Sequence, residues 1–222
     1  DDFRRKSIDG LGDDWPITYN DVAPYYDKVD RHVGIFGSVE NLPNHPDGQF
    51  MPAPKARCHE LLVKQASDKL GIWCIPSRLS IITKPLNNRA PCHYCAQCNR
   101  GCMTNSNFTS PNVLLFPAAK TGRLSIIPNA MAREVTVDAK GNATGVSYID
   151  KATGKDMHVK GRVVVLAASA CESARIMLNS KSSRFPNGIG NQGGAVGKYL
   201  TDTTGTDVGG FIPKLADRVR HN

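Results

Sequence analysis

The spacing of apolar residues along this chain changes character partway, and the change divides it. In "HELLVKQASDKL", residues 59–70, apolar side chains return every three or four positions, which predicts an amphipathic helix closed by Gly71. Further upstream, Thr18 and Asp21 have the spacing of a capping box. Pro24 suits the first position of a helix reaching about Val33, and Gly34 suits its stop. "NLPNHPDGQFMPAP" reads as an extended loop and "IWCIP" as a short strand. Ser77 to Asn107 has no period, so something other than a regular ladder must hold it. "SPNVLLFPAAKTG" reads as a short helix.

From residue 123 strand-like runs take over: "RLSIIPN", "AREVTVD", "ATGVSYID" and "DMHVKGRVVVLA". Turn signals at Ala139–Asn142 and Lys151–Gly154 separate the later ones. The prediction is a strand, a β-meander, and then a buried strand over Val163–Ala168. "CESARIMLNS" follows as a helix. Beyond Lys181 the chain is Gly-rich, with a further strand expected near "TDVGGFIP". The fold class is therefore α/β, or α+β overall. No apolar run approaches the about 18 residues of a membrane-spanning helix.

Composition adds little to this. The 222 residues allow one large domain or two small ones, and 40% hydrophobic with 22% charged residues is ordinary for a globular protein. The net charge of +8 is scattered apart from Arg4-Arg5-Lys6 and the pair Arg218 and Arg220. No basic stripe interleaves with aromatics, so the charge reads as a solvated surface rather than a nucleic-acid groove. The first residues are Asp-Asp-Phe rather than Met, which is read as a piece or a processed product of a longer protein.

The seven cysteines change the picture more, because four fall within "CHYCAQCNRGC". Cys92, Cys95, Cys98 and Cys102 have the spacing C-x2-C-x2-C-x3-C, the short spacing of a ferredoxin-type loop. Such a loop wraps a compact iron–sulfur cluster and aims thiolates at irons a few ångströms apart. Three ligands, with Cys102 a bystander, would suit a three-iron cluster. Zinc usually needs a second C-x2-C knuckle a dozen or more residues away, and Cys58, Cys74 and Cys171 supply none. A corner in which the cysteines merely pack or pair is the third reading. His93 and Tyr94 read as packing residues.

Two further signals are weaker. In "RVVVLAASACESARIML" the small residues Ser169 and Ala170 stand between an expected strand and a helix N-terminus, where a backbone can approach an oxygen-rich ligand. Gly188, Gly190 and Gly193 match G-x-G-x-x-G, but no hydrophobic strand precedes them and no helix follows, so they read as turns.

Several segments together resemble the glucose–methanol–choline (GMC) oxidoreductases, in their bacterial dehydrogenase branch. They are "DWPITYNDVAPYYDKVD", the cysteine run followed by "TNSNFTSPNVLLFPAAKTGRLSIIPNA", "VVVLAASACESARIMLNS" and "VGKYLTDT". The third resembles the signature G-A-x-x-S-P, with Ser169 and Ala174 replacing its Gly and Pro. The last resembles V-G-x-x-L-x-D-H, with Thr203 in place of the His. The resemblance implies a flavoprotein that passes hydride from an alcohol, sugar or polyol carbon to FAD. It also implies a three-layer FAD domain containing the meander, joined to a substrate domain. On that basis residues 1–110 carry part of the substrate domain and the cysteine loop. Residues 111–200 carry part of the FAD domain, and 201–222 begin another substrate-domain segment.

The resemblance further implies FAD contacts at Met131 and Ala132 and at Ala168, Ser169 and Ala170. It places the family's G-x-G-x-x-G before residue 1 and its catalytic His after residue 222, so none of the six histidines here is assigned as a base. It implies that a cluster at Cys92, Cys95, Cys98 and Cys102 would carry electrons to a cytochrome or a small electron-transfer subunit. No nucleic acid and no membrane span is expected, and bacterial cytoplasm and periplasm both stay open. Two rivals remain: the same enzyme with a purely structural cysteine loop, and a zinc-stabilised basic binding module.

Overall fold

A computed structural model describes residues 2–202 and 205–217. Thr203 and the basic pair Arg218 and Arg220 lie outside the described residues. The chain forms two compact units, one of residues 1–124 with 210–222 and one of residues 125–209.

The first unit begins with a short helix α1 (Arg5–Asp9) that Gly10 ends in a left-handed turn. In helix α2 (Tyr19–Val29) the capping box sets the start. The Asp21 carboxylate accepts the Thr18 backbone N–H at 2.7 Å and the Thr18 hydroxyl at 2.8 Å. The helix therefore begins five residues before Pro24, which lies in its interior and not at the expected first position. The chain then widens into one π-helical turn, Asp30–Gly34. Gly34 stops it as expected, with φ +84. A Cβ there would lie 2.3 Å from Ile82 Cγ2, so the position accepts no side chain.

Gly34 delivers the chain to strand β1 (Phe36–Gly37), which pairs in parallel with β2 (Met51–Pro52) and bridges to Leu79 on its other side. Val33, Phe36, Ile82 and Val113 form the buried apolar core here. Helix α3 (Cys58–Lys69) is placed as its periodicity predicts, and Glu60 caps it by accepting the Arg57 N–H at 2.6 Å. The expected strand at 72–76 forms no ladder. Residues 77–107 are held by isolated bridges and single bonds: Ile82 N–H to Ser106 O at 3.0 Å, Cys92 N–H to Ile82 O at 2.9 Å, and Phe108 N–H to Ser80 O at 2.9 Å. Buried Arg89 ties this region together, donating to the Val33 carbonyl and, at 3.5 Å, to the Asn105 carbonyl. The short helix predicted after Ser110 is a π turn, Pro111–Leu115, running into α4 (Phe116–Ala119).

The second unit carries the predicted meander. Strands β3 (Ala130–Val137), β4 (Ala143–Asp150) and β5 (Asp156–Lys160) pair antiparallel in that order, joined by the two predicted turns. "RLSIIPN" is not a strand. Helix α5 (Ser169–Asn179) packs on β3, burying Val135 and Ile176. The expected buried strand Val163–Ala168 is neither paired nor buried, and Val163 and Val165 are 79% and 80% exposed. A run of valines is buried on both faces only between neighbouring strands, and none pairs with it among the described residues. The strand expected near 206–213 is likewise absent from the described residues.

Candidate functional site

The residues expected to meet FAD fall in one unit and on two packed elements. Met131 and Ala132 lie on β3, opposite Ile149 and Tyr148 of β4. Ala168, Ser169 and Ala170 form the start of α5. Arg175 within α5 and Ser180 at its C-terminal cap pin the helix to β3. Arg175 Nη2 donates to the Ala132 carbonyl at 2.9 Å, and the same guanidinium pairs with Glu172 at 2.8 Å. Immediately after the helix, the buried Ser180 hydroxyl accepts the Val135 N–H at 2.8 Å and donates to the Ile176 carbonyl at 2.6 Å. Ser180 thus takes the place of a further strand on the open edge of β3.

No side chain caps the N-terminus of α5. The Ala168 N–H reaches the Ser173 hydroxyl at 3.2 Å, while Ser169 is held left-handed at φ +67. The first turn is exposed; Ser169, Ala170 and Cys171 are small, and its one acidic side chain, Glu172, is paired with Arg175, which leaves the amides at the helix start open to an oxygen acceptor. Small side chains and unspent N–H groups fit the ribose and phosphate oxygens of a dinucleotide. Sequence reasoning missed Arg175 and Ser180. They carry no motif, and their roles follow from register alone.

The cysteine run lies in the first unit, on the wall of a cavity of about 680 Å³. Cys74, Cys92, Cys95, Cys98 and Cys102 all line it, and His59 and His93 do so too. Cys74, eighteen residues before Cys92 and with no obvious pattern of its own, was not singled out as part of this site. All seven cysteines are free thiols. Cys92 and Cys102 are half-buried, whereas Cys95 and Cys98 are exposed. The Cys92 sulfur accepts the Tyr94 N–H at 3.4 Å, and the Cys102 sulfur hydrogen-bonds the Thr104 hydroxyl at 3.4 Å.

Burial pushes the Cys102 thiol up, but hydrogen bonds outweigh it. The Asn107 N–H, the Thr104 hydroxyl, and the N–H and hydroxyl of Ser106 together lower it to about 7. Ser106 is fully buried and anchors this ring of donors by its own bond to the Ala90 carbonyl at 2.8 Å. The polar run "TNSN", which follows Cys102 after Met103, was the signal for it.

Among the described residues no three His, Cys, Asp or Glu side chains converge on a point where a metal ion would sit. The run therefore does not present Cys92, Cys95, Cys98 and Cys102 as a gathered ligand set in this arrangement. The G-x-G-x-x-G at Gly188 is a turn closing on the end of α5, as its flanks suggested. Ile189 N–H bonds the Met177 carbonyl at 3.1 Å, and a Cβ on Gly188 would lie 2.5 Å from that oxygen.

Residues 16–204 match the family model described as GMC oxidoreductase. The chain is 33% identical over 204 residues to the 2-methyl-1,2-propanediol dehydrogenase of Mycolicibacterium austroafricanum, covering 90% of this chain and 36% of that protein. It is 28% identical over 204 residues to the paromamine 6'-oxidase of Streptomyces fradiae, covering 91% of this chain and 37% of that protein. It is 28% identical over 211 residues to the fructose dehydrogenase large subunit of Gluconobacter japonicus, covering 92% of this chain and 38% of that protein. The chain spans a little over a third of the length of these curated relatives. With a family match that takes in most of its residues, the meander with its packed helix, and the motif order along the sequence, the chain belongs to the GMC oxidoreductase family.

Proposed function

We propose that this chain is the flavin-contacting part of an FAD-dependent dehydrogenase or oxidase acting on the CH–OH group of an alcohol, sugar or polyol. The observation that carries the reading is the pinning of α5 onto β3 within a family-matched segment. It brings the expected contacts Met131, Ala132, Ala168, Ser169 and Ala170 onto adjoining elements of one unit. When bound, the flavin supplies the hydride acceptor. The protein's own part is to orient it. The α5 amides hold phosphate or ribose oxygens, β3 offers backbone to the adenine, and Arg175 keeps the two elements in register. Residues 125–209 belong on this reading to the three-layer FAD domain, and the cysteine loop to the other unit. No residue here is assigned as the base.

Support for an iron–sulfur electron exit rests on the C-x2-C-x2-C-x3-C spacing of Cys92, Cys95, Cys98 and Cys102. The thiols are not gathered as ligands, so no electron-transfer step is derived through such a group, and the acceptor subunit or cytochrome stays tied to that spacing. A zinc-stabilised basic module loses its ground with the family assignment. Among the described residues no helix is long and apolar enough to cross a membrane.

The test is a visible spectrum of the protein purified without air, followed by anaerobic addition of diols, sugars and aminoglycosides. Flavin bands that bleach with one of these alcohols are expected. A protein that retains no flavin after loading, or a flavin that no alcohol reduces, overturns the proposal.

A further inference from the structure

The spacing of the cysteine run and the placement of its thiols disagree, and the disagreement points to different sulfur chemistry. Of the four thiols in the run, the outer two have partners and are half-buried. Cys92 is tethered by its N–H to Ile82 and its sulfur accepts the Tyr94 N–H, while the Cys102 sulfur bonds Thr104. The inner two, Cys95 and Cys98, are exposed and stand two residues apart as Cys-Ala-Gln-Cys. Ala96 between them is left-handed, at φ +53, and the chain bends there before Cys98 opens a helical turn, Cys98–Arg100. Cysteines separated by two residues across a bend need little movement to reach the about 4.4–6.8 Å Cα separation of a disulfide. Both also line the cavity, so a small reagent that enters it meets them.

We infer that Cys95 and Cys98 form a redox-active dithiol on the cavity wall, oxidised reversibly by a low-molecular-weight disulfide. One cysteine sulfur attacks a sulfur of the small disulfide, forming a mixed disulfide and releasing one small thiol. The second cysteine attacks the mixed disulfide at the protein sulfur, forming the Cys95–Cys98 bond and releasing the second small thiol. Two electrons pass from the protein to the small disulfide, and the two cysteine protons end on the released thiols. Cys92 and Cys102, half-buried and with their sulfurs hydrogen-bonded to the Tyr94 N–H and the Thr104 hydroxyl, take no part in this bond. The inference is independent of flavin binding.

The flavin-loaded protein, purified reduced and without air, is assayed for iron and acid-labile sulfide. It is then treated with oxidised glutathione, blocked with iodoacetamide and digested. Trypsin releases residues 90–100, which hold Cys92, Cys95 and Cys98 but not Cys102, and a chymotryptic cut after Tyr94 separates Cys92. The expected result is a peptide 95–100 lighter by two hydrogens and unalkylated, with both of its thiols recovered by dithiothreitol. In Cys98→Ser, a glutathione adduct is expected to remain on Cys95. Iron with sulfide that disappears in Cys95→Ser overturns the inference. So does a bond from either residue to Cys92 or Cys102, or no reaction at all. Both positions are exposed, so neither serine variant removes packing.

Discussion

Ser180 offers a direct test of whether α5 is held on β3 by the bonds described. Alanine at this position removes one hydroxyl from a site that is 2% exposed. The Ile176 carbonyl keeps a partner, because the Ser180 N–H reaches it at 3.0 Å. The Val135 N–H does not. It faces the open edge of β3, and Val135 is itself buried. A buried donor left without an acceptor costs about 1–3 kcal/mol, or roughly 5- to 150-fold in the folding equilibrium. The effect should reach the flavin contacts. The pins at Arg175 and at the cap residue Ser180 are five residues apart and meet β3 three residues apart, spans of about 7.5 Å along a helix and about 10 Å along a strand. With one pin lost, the helix can pivot about Arg175 and carry Ala168, Ser169 and Ala170 away from Met131 and Ala132. Urea unfolding of Ser180→Ala in the flavin-loaded protein should show a lower midpoint at unchanged slope, and flavin titration should show weaker binding. Ser180→Cys, with its feeble hydrogen bonding, should fall between. An unchanged midpoint together with unchanged flavin affinity would refute the reasoning.

Other substitutions test separate links. Ser169→Gly should stabilise the protein by up to about 1 kcal/mol, because glycine adopts the left-handed conformation at no steric cost; a lower melting midpoint would count against it. Gly34→Ala should destabilise by several kcal/mol, on the order of 2–4, since its Cβ must displace Ile82 and take a positive φ; wild-type stability would mean the close approach is not real. Cys102 should alkylate with a half-maximal rate near pH 7 rather than near its ordinary 9.0. Because its folded value is depressed, the stability it contributes is present above the unfolded value and fades as pH falls through about 7. Ser106→Ala should move the alkylation midpoint upward, and an unmoved midpoint would show that the Ser106 hydroxyl does not support the ring of donors around the sulfur.

Local signals proved legible in this sequence where a few neighbouring residues settle the outcome. The capping residues Thr18 and Asp21, the stop at Gly34, helix 58–69 and the two hairpin turns of the meander are all of that kind. Pro24 misled because a capping box upstream competes with the preference of proline for the first turn, and the box has the stronger bonds. Val163–Ala168 misled for another reason. Its valines state that the segment prefers burial, but burial needs neighbours, which no local pattern supplies. At the candidate site, small residues and cysteine spacing were visible, whereas the pins Arg175 and Ser180 depend on which strand residue each helix residue faces. Cys74 was silent because cavity walls are assembled from distant segments.

The exposed surface bears on how much of the function this chain can perform by itself. Residues 1–222 expose 17214 Å² at a mass of 24.1 kDa. A single folded domain of that mass exposes roughly 10,000 Å², and two separate units of the same total roughly 12,000 Å². Against roughly 35,000 Å² for the unfolded chain, about half the surface is buried, where a chain of this length ordinarily buries roughly 70%. The deficit includes large apolar residues: Val163 and Val165 before α5, and Val208 and Phe211 beyond it. The first two immediately precede the turn at Ala168–Ala170, so the segment leading into the expected phosphate contacts lacks the packing that would make it rigid. A ligand that must first order its site loses affinity by the fraction of time the site is ordered. Residues 1–222 expressed alone should therefore bind FAD more weakly than micromolar, unfold over a broad denaturant range, and bind a hydrophobic dye while still holding the meander. Micromolar or tighter FAD binding, with one sharp unfolding transition, would show that the β3–α5 pins organise the site without further burial of Val163 and Val165.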